Sequence, residues 1–344
     1  MLKWPFIIFI CFLITACGEK QHEVSHAAGM SGVSRTLLFD KKMNTRFSEL
    51  PLEGEVSDKN KNWSSDYWPL RRGGINYRWN AEAPTGFNLH SPEKADIAGL
   101  SIKQLSTLSP AEKYDLFVGD YGYSLKKEVA SLANPTASFR TGICHGWALA
   151  SIHHKEPLPK ILLNPDGIRI PFGSSDIKAL LSFYYAQETT MCDTDDCKED
   201  LNAGTFHMTL ANKVGVDKVA IIADIKRFKE IWNHPIISYE SQILQDHLPP
   251  EHLSVPNTVR VLHVGTRISY VNTVPEKSWG PILQTNDQKR TFRSYEYTLE
   301  LDSQNQIIGG RWISQDRPDF LWIKRRPKNF TGMFHRLSEL LNDH

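Results

Sequence analysis

The stretch GICHGWALASI, residues 142 to 152, constrains the fold more than any other part of the chain. Its content of Gly, Ala and Ser suits a helix packed in the middle of a domain, where neighbouring elements come close. Ile143, Trp147 and Ala150 recur at helical spacing along one face, and Gly142 permits close backbone approach at the turn leading in. The segment therefore predicts a buried helix that starts at Cys144. At a helix start the partial positive charge of the backbone N–H groups favours thiolate over thiol, and the N–H of Cys144 itself is placed to stabilise an oxyanion. The plainer alternative is a small core residue on a buried helix.

The other cysteines bear on that choice. The chain opens MLKWPFIIFICFLITAC, where one Lys precedes an apolar run from Trp4 to Ala16 that is too short to span a bilayer comfortably. Residues 1–16 read as a secretory signal that carries Cys11 away. Ile14-Thr15-Ala16-Cys17 matches a lipoprotein signal, in which Cys17 is acylated and becomes the mature N-terminus. Gly18 after it favours the outer membrane of a Gram-negative cell envelope, so membrane attachment through a lipid is expected. Cys192 and Cys197, in MCDTDDCKED, could close a small disulfide loop in an oxidising compartment. Cys144 is left over, either buried and inert or kept free because it reacts.

Partners for a reactive thiol lie downstream. TFHMTLANKVGVDKVAIIADI, residues 205 to 225, reads as two β-rich runs joined by the turn-like KVGVDK, with His207 near the start of the first and Asp224 at the end of the second. A hairpin of that length would bring Asp224 beside His207, fixing the imidazole tautomer and supporting the imidazolium formed when His207 takes the thiol proton. Singly, His207 is a hydrogen-bonded strand histidine, and Asp224 a cap for a helix over KRFKEIW. Together with Cys144 they follow the Cys-His-Asp chain order of papain-type and transglutaminase-core enzymes.

SSDYWPLRRGGINYRWN (64 to 80), SPAEKYDL (109 to 116), GICHGWALASI, FHMTLAN (206 to 212), the Trp-Asn-x-Pro element of EIWNHPIISYE (230 to 240) and YTLELDSQNQIIGGRWISQDRPDFLW (297 to 322) resemble segments of the transglutaminase elicitor family, in family order. The resemblance implies an α+β, papain-like cysteine acyltransferase fold, with the nucleophile on a central helix and His and Asp on an antiparallel sheet. It implies an enzyme, a protein-glutamine γ-glutamyltransferase: Cys144 forms a thioester with a glutamine side chain, and Lys or another primary amine resolves it, with His207 as base and Asp224 as orienting carboxylate. Its partners would be proteins with accessible Gln, and amine donors. A cysteine peptidase or glutamine amidase would use the same triad, and a non-catalytic envelope binding protein would keep the fold without turnover. The second oxyanion donor is open among Trp63, Trp68, Asn76 and Trp79, and core packing is the preferred reading of the three Trp.

Asp193, Asp195, Asp196, Glu199 and Asp200 could hold Ca²⁺, in line with the family's association with calcium, but the segment lacks the twelve-residue loop and Gly of an EF-hand. A solvated acidic loop is the preferred reading, and no other cofactor is implied. With 40 basic and 39 acidic residues, nothing electrostatic points to nucleic acid. Residues 17–59 read as a polar tether, 60–330 as the catalytic domain, with β-strands in TVRVLHVGTRISYV and in the hairpin around DSQNQ, and 331–344 as a C-terminal helix. The anchoring expectation is directly testable: Cys17→Ala should release the protein from membrane fractions, and sedimentation unchanged from wild type would show the lipoprotein reading to be wrong.

Overall fold

A computed structural model describes residues 43–188, 201–226, 231–248 and 255–341. Its helices are α1 (Lys94–Ile97), α2 (Ile102–Ser106), α3 (Pro110–Val118), α4 (Ser124–Leu132), α5 (Cys144–His153), α6 (Ser174–Gln187) and α7 (Ala203–Thr209). Its strands are β1 (Glu53–Glu55), β2 (Lys160–Leu163), β3 (Arg169–Phe172), β4 (Ile221–Asp224), β5 (Asn233–His247), β6 (Arg260–Val271), β7 (Arg290–Leu301), β8 (Ile307–Trp312) and β9 (Phe320–Trp322). Local chemistry sets several boundaries. Ser109 and Glu112 form a capping box with Pro110 in the first turn of α3, and Asp176 returns from α6 to accept the Gly173 N–H at 2.7 Å.

The large sheet runs β8-β7-β6-β5-β4-β9, every pairing antiparallel. The fifteen-residue β5 is its spine. β6 follows one edge of β5, while β4 and β1 share the other in tandem, β4 against Asn233–Ile236 and β1 against Ser238–Glu240. Helix α5 packs between this sheet and α6. The α5 backbone approaches α6 so closely that a Cβ on Gly146 would overlap the Ser182 carbonyl oxygen and lie 2.8 Å from the Ala186 nitrogen. Trp63 locks the other flank: its carbonyl accepts the Trp147 indole N–H (3.1 Å) and its own indole N–H reaches the His154 carbonyl (3.0 Å).

Several expectations need correction. Residues 203–216 are not strand. Asn202 caps α7 by accepting the Gly204 N–H at 2.8 Å, and the coil continues as a π-helix over Leu210–Val216, so His207 is helical and the proposed hairpin does not form. Only Ile221–Asp224 is extended, and it pairs with β5 and β9, non-local partners that a short helical run cannot replace. The tether is already folded in its described part: Leu50 and Val56 are buried, Arg46 bridges Gln306, and β1 adds to β5. Its few apolar residues suffice because they meet a sheet already built. The C-terminus forms two 3₁₀ turns, Gly332–Phe334 and Leu337–Leu340, rather than one α-helix. Phe334, Leu337 and Leu340 pin those turns to the core, and Lys160 Nζ takes the Glu339 carbonyl at 3.0 Å. The strands expected over 258–271 and around DSQNQ are present as β6, β7 and β8. Cys192, Cys197, the acidic loop and most of KRFKEIW lie outside the described residues.

Two outcomes follow from this packing. Gly146→Ala should destabilise the fold by about 1–3 kcal/mol through forced separation of α5 from α6, read as a lowered urea midpoint; an unchanged midpoint would mean the helices have room to give. His145, His207 and His234 are buried, and burial pushes each down to about 4. Because the folded value lies below the unfolded 6.5, the unfolded chain binds more protons between those limits. Their contribution is therefore full above about pH 6.5 and is lost as pH falls toward 4. The urea midpoint should drop between pH 7 and pH 5 by the equivalent of about 1–2 kcal/mol per histidine, and His207→Gln should remove its share of the drop.

Candidate active site

Cys144 opens α5 as the sequence predicts. The turn before it is fixed from outside: Ile143 N–H donates to the Tyr67 carbonyl at 2.7 Å, and a Cβ on Gly142 would lie 2.5 Å from that same oxygen. Only glycine lets the two backbones meet there. The Tyr67 segment is itself held, since Glu276 accepts from the Ser65 hydroxyl and the Asp66 N–H and also from Ser175 on α6.

Around the sulfur, Asn233 Nδ2 lies 3.7 Å from Sγ and the Ile231 carbonyl 3.9 Å away. The Trp322 indole N–H donates to Asn233 Oδ1 at 2.7 Å, which turns the NH₂ end of the amide toward the sulfur. Asn233 stands opposite Asp224 in the β4–β5 register, so the two side chains emerge on the same face of the sheet, and Phe320 stands opposite Asp224 on β9. The Trp232 N–H donates to Asp224 Oδ1 at 3.2 Å. Asp319 lies alongside, its N–H on the Asp224 carbonyl at 3.0 Å, and Asp224, Asn233 and Asp319 are all buried.

The structure thus brings Cys144 and Asp224 to one patch and leaves His207 out of it. His207 Nδ1 pairs with the Tyr297 hydroxyl at 2.8 Å, its ring stacks on Phe47 at 5.7 Å, and Nε2 has no hydrogen-bond partner. It makes no hydrogen bond, ion pair or ring contact with Cys144 or Asp224. The other histidines near the site segments are also committed. His145 is hydrogen-bonded to the Ala186 backbone, away from the nucleophile as expected, and His234 Nδ1 pairs with the Val271 carbonyl at 2.9 Å. Cys144, expected as a free thiol, is disulfide-bonded here. A sulfur favoured as thiolate at a helix start is also the one that exchanges readily into a disulfide.

Of the four residues considered as oxyanion donors, three are spoken for. Trp63 serves His154, Asn76 Nδ2 donates to the Lys126 carbonyl at 2.8 Å, and Trp79 Nε1 donates to Asp176 at 2.9 Å. Trp68 is fully buried. Asn233 was missed as a donor; its only signal in the sequence is the Trp-Asn-x-Pro element, and Trp322, which orients it, lies 89 residues away. Among the described residues no group of His, Cys, Asp and Glu is arranged to hold a metal, and no helix is long and apolar enough to cross a membrane.

A search of curated protein sequences finds no match to the chain. Among solved structures, the fold is similar to that of the GP42 transglutaminase from Phytophthora sojae, with a TM-score of 0.65 and 22% identity over 87% of this chain and 93% of that one. The transglutaminase elicitor model matches residues 135–337, which contain Cys144, Asp224, Asn233 and Trp322. With more than half of its length matched in this way, the chain belongs to the transglutaminase elicitor family.

Proposed function

We propose that the protein is a thiol acyltransferase of transglutaminase type, in a papain-like arrangement whose working unit is Cys144, Asn233 and Asp224. The observation that carries this is the Asn233 amide, turned by Trp322 so that its N–H groups face the sulfur at the start of α5. After reduction of the disulfide, the Cys144 thiolate attacks the γ-carboxamide carbon of a glutamine. Negative charge develops on the carboxamide oxygen, where the Cys144 N–H and Asn233 Nδ2 stabilise it. Asp224 takes the thiol proton and passes it to the departing ammonia. A primary amine then attacks the thioester, its surplus proton goes to Asp224, and the thiolate leaves. His207 keeps a structural role, because its ring is occupied by Tyr297 and Phe47 and burial holds it neutral at physiological pH. With Cys17 lipidated as the leader suggests, the substrates would be proteins of the cell envelope.

The test is amine incorporation by reduced, full-length protein, read by mass spectrometry of a glutamine-rich protein incubated with a labelled primary amine. Cys144→Ala should abolish incorporation. Asn233→Ala and Asp224→Asn should each lower kcat by about a hundredfold or more, as loss of an oxyanion donor or proton carrier does. Double variants should lose little beyond the worse single one. His207→Gln should leave kcat within about threefold once stability is matched. A folded His207→Gln protein as inactive as Cys144→Ala would restore the histidine to the catalytic unit, and glutamine hydrolysis without amine coupling would assign the same site to an amidase.

A further inference from the structure

Next to the segments that hold Cys144 lie aromatic side chains and guanidinium groups that the chemistry above does not use. Tyr67, whose carbonyl holds the Ile143 N–H, packs its ring edge-on against Trp232 at 5.2 Å, and Trp232 lies between Ile231 and Asn233, both neighbours of the sulfur. The Tyr67 hydroxyl donates to the Phe139 carbonyl at 2.5 Å, which ties in the loop before the nucleophile. That loop is held again by the Leu70 N–H on Thr141 (2.9 Å) and the Asn134 N–H on Leu70 (3.2 Å). Phe139 is nevertheless 49% exposed, although it is a large apolar ring on a well-fixed loop. Two guanidinium groups lie over it, Arg140 at 4.7 Å and Arg71 at 5.6 Å. Arg72 is balanced by Asp66, whereas Arg71 is exposed and forms no ion pair among the described residues.

On the acyl-transfer reading above, we propose that Phe139, Tyr67 and Trp232 form the docking rim for the glutamine-bearing substrate, and that Arg71 selects substrates with acidic residues flanking the glutamine. Charge decides between the two substrates of the reaction. A lysine donor is cationic and is repelled by Arg71, whereas the uncharged glutamine side chain leaves selection to its neighbours, which the Arg71 guanidinium draws in when they are Asp or Glu. The aromatic rings supply flat, rigid contact surface for the peptide backbone on either side of the glutamine.

Binding and turnover separate this proposal from the reading beneath it. Three peptides identical except for Glu, Gly or Lys beside one glutamine are titrated by fluorescence anisotropy against full-length Cys144→Ala. Reduced wild type is assayed with the same peptides and a labelled amine. The Glu peptide should bind about fivefold more tightly than the Gly peptide, the scale of one exposed ion pair, and the Lys peptide more weakly than either. Arg71→Gln should erase that preference without changing affinity for the Gly peptide, Arg71→Glu should reverse it, and Phe139→Ala should weaken all three. Equal binding of the three peptides, or a Glu preference that survives Arg71→Glu, overturns the rim. The expected binding order without any amine incorporation leaves the rim standing and overturns the transfer reading instead.

Discussion

The site depends on how closely the backbone of α5 is allowed to run to its neighbours. Gly142 meets the Tyr67 carbonyl and Gly146 meets the Ser182 carbonyl, and at both points a methyl group would force the chains apart. Because α5 is gripped from two sides, Cys144 emerges at one fixed height against β5, within reach of a side chain from that strand. The opposite wall is set as firmly: Asn233 is locked in the sheet by register with Asp224 and in rotation by the Trp322 indole. Hydrogen bonds of this kind add little net stability, but a buried amide that loses one is costly, so the orientation is kept.

The arrangement bears on proton transfer. The histidines near the site segments have other partners, and burial of His145, His207 and His234 disfavours their charged forms. The groups gathered at Cys144 are a helix start, an oriented amide and a buried carboxylate.

Parts of this were legible in the sequence and parts were not. The start of α5 could be read because a glycine turn, small residues and a 3.6-residue apolar period agree over one short segment. Strands β6, β7 and β8 could be read because alternation and the DSQNQ turn are local signals. FHMTLAN misled because its apolar residues suit either period, and the deciding factors were the Asn202 cap and packing of Phe206 against Tyr295, Tyr297 and Trp312. Asn233 was hidden for another reason. Its meaning depends on Cys144 and Trp322, each 89 residues distant, and no window along the chain contains them together.

The assignment of Asn233, and not His207, to the reactive sulfur is tested most directly by the alkylation rate of Cys144 in reduced protein near pH 6.5, where an ordinary thiol is almost wholly protonated. In folded protein His207→Gln should react at the wild-type rate, and Asn233→Ala should be slower. A rate that falls with His207→Gln and is indifferent to Asn233→Ala would contradict the assignment and return the proton to the histidine.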